Sequence, residues 1–331
     1  CRGEGSTGSV VEEVTEALNV PDPDLAFQRL FWHRVAQEKR INRLERDGFP
    51  MEGQAVVDTG ENEDFDRIIR PKRGLMPINF AELWQYRELF WFLSWREVVV
   101  RYKQTLLGIL WAVIQPVLTM VVFTFIFGHL AGFSEESAVP YAMITLAGVV
   151  PWQFFSDAMS KGGQSLVSQA HLITKVYFPR LIVPATYVIS AAIDFGIAMV
   201  ILFLMMAGYR ITPTATLLLL PVFFLLAAMV AFGAGLWLSA MNVKYRDVKF
   251  IIPFIIRLGI YISPVGFVSN KISPDFRFWF SLNPMVGVIE GFRWAVLGKS
   301  CAIFWPGFAL SVFLTLVLFV SGVWYFRGTE R

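Results

Sequence analysis

KGGQSLVSQAHLITKVYFPRLIVP, residues 161–184, is the stretch around which the rest of the chain is arranged. It lies between two long apolar blocks, so the chain leaves a membrane before it and returns on the same side after it. The stretch contains Lys161, Lys175 and Arg180 but no acidic residue. Because cytoplasmic loops of membrane proteins carry an excess of positive charge, this composition predicts a cytoplasmic location.

The same stretch contains one apolar stripe at helical spacing, formed by Leu166, Ala170, Ile173 and Tyr177. Ser168, Gln169 and Lys175 lie off that stripe and give the helix a polar face. A short amphipathic helix of this kind is either an inert part of the cytoplasmic surface or a docking helix. A docking helix would receive a push from a soluble partner and pass it to the apolar blocks on either side.

Composition places the whole chain among multi-span membrane proteins. Of 331 residues, 55% are hydrophobic and only 17% are charged, which is too apolar for an ordinary soluble domain. Acidic residues outnumber basic ones in residues 1–75, whereas basic ones are in excess afterwards. The positive charge therefore belongs to the membrane part, where it sets topology, and it does not indicate nucleic-acid binding.

Six apolar segments are long enough to cross a hydrocarbon core of about 30 Å. They cover approximately residues 106–129, 141–159, 181–208, 217–241, 250–268 and 303–326. Arg101 and Lys103 hold the start of the first segment inside, and Arg327 and Arg331 hold the C-terminus inside. The sequence predicts an all-α integral membrane protein with six spans and both termini in the cytoplasm.

Two segments precede the first span. Residues 1–75 are predicted to be a soluble extension ending in a linker, either variable in role or a regulatory contact. Residues 79–103 include six aromatic residues between Trp84 and Trp95 and, among and around them, Arg87, Glu88, Arg96 and Glu97. These charges forbid a spanning helix. We expect an interfacial helix on the cytoplasmic surface, because Trp and Tyr favour the headgroup layer.

Residues 269–300, between the fifth and sixth spans, are long, apolar and aromatic although the charge rule places them outside. Ser273-Pro274 and Asn283-Pro284 each place a capping residue before a proline at the first helical position. The two predicted helices, 274–282 and 284–297, are too short to span. We expect a re-entrant pair lining a channel exit, with a capped external loop as the alternative.

Charged residues inside spans are candidates for function because burying them in a membrane is costly. Asp194 and Arg257 lie at similar predicted depths, roughly 15 and 12 Å. The hypothesis is an ion pair that ties span three to span five, and the alternative is a polar lining for a hydrated path. Glu290 is predicted either to pair with Arg293, three residues further on, or to face the exit path.

Aromatic residues make up 15% of the chain. Anchoring at the lipid interface accounts for most of them. Stacking of sugar rings near the channel mouths is the functional alternative, with the candidates Trp152, Tyr261, Trp279 and Trp294.

Enzyme chemistry has little support in the sequence. Gly298-Lys299-Ser300 resembles the end of a P-loop, but Arg293 stands where the first glycine is required. We therefore expect no ATP hydrolysis by this chain. His33, His129 and His171 are isolated from one another, so no metal site is predicted.

Four stretches together carry a resemblance to one family. They are WREVVVRYKQTLLGILWAVIQPVL (95–118), HLITKVYFPRLIVP (171–184), NVKYRDVKFIIPF (242–254) and SLNPMVGVIEGFRWAVLG (281–298). In order and spacing they resemble the membrane subunit of ABC-2-type polysaccharide exporters, the O-antigen, capsule and teichoic-acid permeases. The resemblance covers about residues 80–331, so residues 76–331 are expected to form the transmembrane domain.

The resemblance implies partners that the residues alone do not show. Two copies of the chain would flank one channel in a bacterial inner membrane and bind two ATPase subunits, which would carry ATP and Mg²⁺. The substrate would be a lipid-linked glycan. This chain itself would hold no cofactor.

The resemblance also assigns roles to residues. The ATPase-coupling helix would carry Leu166, Gln169, His171, Lys175, Tyr177 and Arg180. Arg96, Arg101 and Lys103 would meet the pyrophosphate at the entrance, by charge complementarity. The outer gate and glycan path would include Trp152, Tyr261, Trp279, Glu290, Arg293 and Trp294.

Two alternatives remain open. A drug exporter would share the topology but would need a closed pocket in place of a tunnel. A membrane glycosyltransferase would also be rich in aromatic residues, yet Asp194 and Glu290 do not form the paired carboxylates that a metal and a sugar nucleotide require.

Overall fold

The computed structural model describes residues 84–103, 108–133, 139–175, 178–298, 301 and 303–329. Throughout these ranges the regular structure is helical, with no strand. The α-helices, in chain order, are α1 (Arg87–Lys103), α2 (Leu110–Phe123), α3 (Tyr141–Ser168), α4 (Ala170–Lys175), α5 (Ile182–Gly208), α6 (Leu220–Lys244), α7 (Val248–Ile262), α8 (Pro274–Phe280), α9 (Pro284–Leu297) and α10 (Trp305–Thr329). A π-helical segment, Thr124–Leu130, extends α2, and a 3₁₀ turn, Ala215–Leu219, precedes α6. The extension predicted at residues 1–75 lies outside the described residues.

Four helical segments within the described ranges are long and apolar enough to cross a membrane: Leu110–Leu130, Ile182–Gly208, Ala215–Lys244 and Trp305–Thr329. Each exceeds the roughly 20 apolar residues that a bilayer core requires. The chain is therefore a multi-pass, all-helical membrane protein. These four segments correspond to the first, third, fourth and sixth predicted spans.

Helix α3 is the central element of the fold. Most of its side chains are buried, and it packs against α5, α6 and α9. Met143, Leu146, Ala147 and Val149 are fully buried. Since burial continues around the helix, α3 is surrounded by protein for much of its length.

The stretch 161–184 differs from its prediction in one respect. Helix α3 does not end near residue 159 but continues to Ser168, with Gly162 and Gly163 inside it. A Cβ added to Gly162 would lie 3.8 Å from the Cα of Gly235 on α6. The two glycines therefore bring the backbones of α3 and α6 close together, and they do not start a new segment.

The single amphipathic helix predicted from Leu166 onward is wrong, because the structure has two helices with a break between them. Helix α3 ends at Ser168, Gln169 has non-helical dihedral angles (φ −104°, ψ 18°), and α4 begins at Ala170. Leu166 and Ile173 nevertheless pack on one apolar cluster with α1 and α5. Ala170 is exposed, and Tyr177 lies outside the described residues.

The fifth predicted span is also shorter than expected. Helix α7 has 15 residues and ends at Ile262, where the prediction continued to residue 268. At about 1.5 Å per residue it measures roughly 22 Å, less than a bilayer core. The following residues, 263–268, are not helical, and their carbonyl groups are bound by Arg293 of α9.

The two short helices predicted before the last span are present as α8 and α9. Asn283 caps α9 as predicted, because its side chain accepts a 3.0 Å hydrogen bond from the backbone N–H of Met285. Ser273 stands at the start of α8 but makes no capping bond with its side chain, so that part of the prediction is wrong. Pro274 alone, with its fixed φ angle, favours the helical start there.

Candidate functional site

A charged cluster joins α1, α3 and α5. The guanidinium of Arg101 donates a 2.7 Å hydrogen bond to the carboxylate of Asp157 on α3 and also contacts the carboxylate of Asp194 on α5. The neighbouring Tyr102 hydroxyl donates a hydrogen bond to the other oxygen of Asp194. Two consecutive residues at the end of α1 thus connect α1 to both α3 and α5.

This arrangement gives Asp194 a different partner from the one predicted. Arg257 is exposed on α7, and no ion pair within the described part of the chain includes it. Similar depth in the membrane therefore did not imply contact, because depth says nothing about the direction in which each side chain points. The hypothesis that Asp194 ties span three to span five is wrong, and Asp194 instead ties α5 to α1.

Neighbouring charges favour the charged form of Arg101 and the neutral form of Tyr102. Burial by itself would lower the pKa of Arg101, but the charges of Asp194 and Asp157 raise it overall. Burial also raises the pKa of the Tyr102 phenol above its ordinary value, helped by its hydrogen bond to Asp194. Tyr102 consequently stays protonated and acts as a donor.

A second polar node lies at the break between α3 and α4. The guanidinium of Arg96 donates a 3.2 Å hydrogen bond to the side-chain oxygen of Gln169. The amide nitrogen of Gln169 donates a 3.2 Å bond to the hydroxyl of Tyr187 on α5, and the Ser168 hydroxyl lies 3.4 Å from that same oxygen. Gln169 therefore links α1 and α5 at the point where the helix direction changes.

An apolar cluster surrounds this node. Leu93 of α1 is buried with Phe178, Ile182, Val183 and Tyr187, and Leu166, Leu172 and Ile173 pack against the same group. Helix α4 thus has one face held by α1 and α5. Its other face is exposed and includes His171 and Lys175, while Arg180 is exposed in the turn that follows.

Three residues were predicted to meet an anion at the entrance. Two of them are instead bound to other side chains of the chain. Arg96 binds Gln169, and Arg101 binds Asp157 and Asp194. Lys103, at the end of α1, is exposed. The predicted trio therefore does not converge on one point, because Arg101 lies on a different face of α1 from Arg96 and Lys103, and those two are separated by two helical turns.

A cavity of about 210 Å³ adjoins the Arg101 cluster. Residues from α1, α2, α3 and α5 line it, and they include Arg101, Tyr102, Trp111, Gln115, Gln153, Asp157 and Asp194. The lining combines charged groups and amides with the aromatic faces of Trp111 and Phe154. Such a mixture is typical of a small-molecule site, in which a few polar groups orient a ligand on an apolar wall.

At the other end of the fold, Arg293 is fully buried and binds backbone carbonyl groups. Its guanidinium donates hydrogen bonds of 2.8–3.2 Å to the carbonyl oxygens of Ile144, Pro264, Val265 and Phe267. Gly148 makes room for it, since a Cβ there would lie 2.5 Å from Nη2.

Arg293 accordingly holds the backbone that follows α7. Because it is fully buried, it does not line an open gate. Its predicted partner Glu290 is also buried. The described ion pairs do not include one between Glu290 and Arg293.

The four aromatic candidates are dispersed. Trp152 is buried, with Gly259 packed against its ring. Tyr261 and Trp279 are 65% and 68% exposed. Trp294 is half-buried, with its ring 6.4 Å from that of Trp305. In a single copy of the chain they do not form one stacking surface.

No functional role was predicted from the sequence for five residues of this site: Tyr102, Gln115, Gln153, Asp157 and Tyr187. Asp157 had a recognisable signal, because it is an acidic residue inside an apolar helix, as Asp194 is. Gln115 and Gln153 had a weaker one, since amides are also costly in a membrane. Tyr187 had none, because a tyrosine near the end of a span is ordinary.

The chain is similar to one known protein family and to several known proteins. The sequence model of a family described as ABC-2 type transporter matches residues 88–297, more than half of the chain. Over 214 residues the chain is 27% identical to the O-antigen export system permease protein RfbA of Myxococcus xanthus, covering 64% of this chain and 81% of that protein.

Two further relatives align over a longer part of the chain. A protein of the same description from Klebsiella pneumoniae is 24% identical over 233 residues, with 70% of this chain and 88% of that protein covered. The polysialic acid transport protein KpsM of Escherichia coli is 22% identical over 250 residues, with 71% and 91% covered. The similarity therefore spans most of each relative.

Proposed function

The chain belongs to the ABC-2 type transporter family, and we propose from this that it is the membrane subunit of an ABC transporter that exports a lipid-linked polysaccharide. The observation that carries the proposal is the alignment of the chain over 81–91% of relatives named for O-antigen export and polysialic acid transport. These names describe two kinds of polysaccharide, so they support a glycan as the substrate and leave its identity open.

ATP hydrolysis is assigned to a separate subunit in this proposal. The sequence contains no P-loop, which an ABC ATPase needs to hold the phosphates of ATP and Mg²⁺. Two ATPase subunits would bind two copies of this chain, and the channel would lie between the copies. The large number of exposed apolar side chains on α2, α7 and α10 supports contacts with lipid and with a second copy.

We place six spans in the cytoplasmic membrane, with both termini inside. Helices α3 and α7 would supply the second and fifth spans in addition to the four apolar segments. Helix α7 is short for this purpose, but residues 263–268 would continue its path. Non-helical backbone is tolerated at membrane depth where it is buried in protein, and Arg293 supplies the missing hydrogen bonds.

Helix α1 would lie at the cytoplasmic interface, and α8 and α9 would form a re-entrant pair at the outer side. The exposed Trp84, Trp91 and Trp95 favour the interfacial position of the N-terminal segment. Helices α8 and α9 have 7 and 14 residues, which is too short for either to span. By the charge rule, the chain would then lie on the outer side of the membrane where α10 begins.

Coupling to the ATPase would occur through α4 and the turn after it. The exposed His171, Lys175 and Arg180 would contact the ATPase, while Leu172 and Ile173 hold α4 on α1 and α5. A push on α4 would reach α1 through Gln169 and Arg96. The helix at the entrance and the docking surface would thereby move together.

The proposal is tested by depleting this chain in its native host and separating surface glycan from lipid-linked glycan on the inner leaflet. A fall in surface glycan with accumulation of the internal lipid-linked form is the expected result, and the accumulated sugar identifies the substrate. Unchanged pools would overturn polysaccharide export in favour of a small-molecule exporter. A parallel fall of both pools would instead indicate a role in synthesis.

A further inference from the structure

The cavity beside Arg101 has hydrogen-bonding groups without partners. Neither the Gln115 nor the Gln153 side-chain amide takes part in a hydrogen bond among the residues that the structure describes. Pro116 has no N–H to donate to the carbonyl of Ala112, which lines the same cavity. Gln115 lies five residues into an apolar spanning helix, roughly 8 Å from its start, where water is scarce and unsatisfied amides are costly.

The size of the cavity limits what can satisfy these groups. A volume of about 210 Å³ corresponds to about seven water molecules in the liquid. It therefore admits a group of monosaccharide size. The occupant must carry several donors and acceptors within this small volume, as a ring with many hydroxyl groups does.

Charge excludes an anionic group from the same place. The only cation among the lining residues described, Arg101, already contacts both Asp157 and Asp194. The lining described therefore offers a pyrophosphate no uncommitted cation, and the two carboxylates lie beside the only one present. A neutral ligand is not repelled, and the carboxylates and amides can bind its hydroxyl groups.

An aromatic side chain completes the lining. Trp111 is 52% exposed although it faces the cavity, so its indole is open to a ligand. The apolar face of a sugar ring can pack on an indole, while its hydroxyl groups reach the polar groups opposite.

We infer that the cavity between α2, α3 and α5 is a subsite for one uncharged sugar ring, bound by Gln115, Gln153 and the Arg101 cluster and packed on Trp111. This inference rests on the proposed export of a glycan and adds the place where the chain recognises sugar near the cytoplasmic entrance. It also separates the roles of the entrance residues, because Arg101 positions carboxylates for hydroxyl groups and does not bind the pyrophosphate.

Photo-crosslinking in the native host tests which molecule occupies the cavity. The photoreactive residue p-benzoylphenylalanine replaces Trp111 in one variant and Leu110 in a control. Leu110 is the adjacent residue, is 44% exposed and does not line the cavity. We expect a glycan adduct at position 111, at least several-fold above position 110, and its loss in a host that cannot synthesise the glycan. Equal adducts at both positions, or a lipid adduct that persists without the glycan, would overturn the subsite.

Export rates test the polar groups. Gln115→Leu and Gln153→Leu remove the amides at nearly constant volume, and we expect each to slow glycan export by about threefold to tenfold. Thr119→Val is the control, because Thr119 lies one turn further along α2, bonds only the Gln115 carbonyl and does not line the cavity.

The two proposals fail in different ways. Export at the wild-type rate by both glutamine variants would overturn the subsite and leave the proposed function intact. Absence of glycan export by the wild-type chain itself would overturn the proposed function.

Discussion

Arg101 lies 2.7 Å from the carboxylate of Asp157, although the two residues are 56 positions apart in the chain. The same guanidinium contacts Asp194, so one cation connects α1, α3 and α5. The side chains are only 16–31% exposed, and opposite charges therefore interact more strongly here than on an open surface. Removing one member leaves the others partly buried without compensation.

The ion pair between Arg101 and Asp194 predicts a non-additive double-mutant cycle. Arg101→Met and Asp194→Asn should each destabilise the purified protein, and the double variant should lose about 1–2 kcal/mol less than the sum. Thermal unfolding in detergent, followed by size-exclusion fluorescence, measures this. Arg257→Met with Asp194→Asn is the control cycle, in which we expect additivity. Additive losses in the Arg101 cycle would contradict the pairing.

Arg293 should not be replaceable by lysine. Its guanidinium donates hydrogen bonds to four carbonyl groups in different directions. The ammonium group of a lysine has neither the reach nor the geometry to do so. We expect Arg293→Lys to destabilise the protein by at least about 3 kcal/mol, since each buried carbonyl left unsatisfied costs about 1–3 kcal/mol. Thermal unfolding compares it with Arg246→Lys, an exposed arginine, for which no change is expected. Equal stability of both variants would show that the carbonyl groups do not depend on the guanidinium.

Helices α6 and α10 cross at two glycines. A Cβ on Gly322 would lie 2.4 Å from the carbonyl oxygen of Gly233, and a backbone atom cannot move aside as a side chain does. Gly322→Ala should therefore destabilise the protein by about 1–3 kcal/mol. Gly196→Ala on α5 is the matched control, because a Cβ there meets nothing within 4 Å. Melting temperatures of the two variants decide the question, and similar values would contradict a tight crossing.

Charge reversal on α4 tests the docking surface. Lys175 is exposed at the end of α4, so Lys175→Glu should leave the stability of the membrane subunit unchanged. We expect it to reduce the amount of ATPase that co-purifies with the chain and the rate of ATP hydrolysis. Arg210→Glu is the control, since Arg210 is exposed beyond the opposite end of α5. Normal co-purification of the Lys175 variant would argue against docking at this residue.

Cys301 should report on unfolding. Its thiol is buried, and burial raises its pKa above the ordinary value. A smaller fraction is therefore ionised at pH 8 than for a free cysteine, and only the thiolate reacts with maleimides. In a Cys1→Ser background we expect slow labelling of the native protein, half-maximal at a higher pH than for free cysteine, and fast labelling on heating. Rapid labelling of the native protein at pH 8 would contradict the burial.

The features that were predicted correctly depend on residues close together in the chain. The spans at α2, α5, α6 and α10 follow from runs of apolar residues, and Asn283 followed by Pro284 indicates the start of α9 correctly. The ends of α3 and α7 were missed because both depend on neighbours. Gly162 and Gly163 read as a break but serve helix packing, and α7 ends early because Arg293 binds the backbone that follows it.

Spanning length and hydropathy are properties of single segments, so the amino-acid sequence is enough to predict an all-helical membrane protein. Contacts between residues far apart in the chain appear only once the helices have packed. This packing paired Asp194 with Arg101 and Tyr102 across more than 90 positions, joined Gln169 to Arg96, and placed Gln115 and Gln153 at one cavity. The physical reason is that helical hydrogen bonds close within four residues, whereas side-chain partners depend on how whole helices rotate and pack.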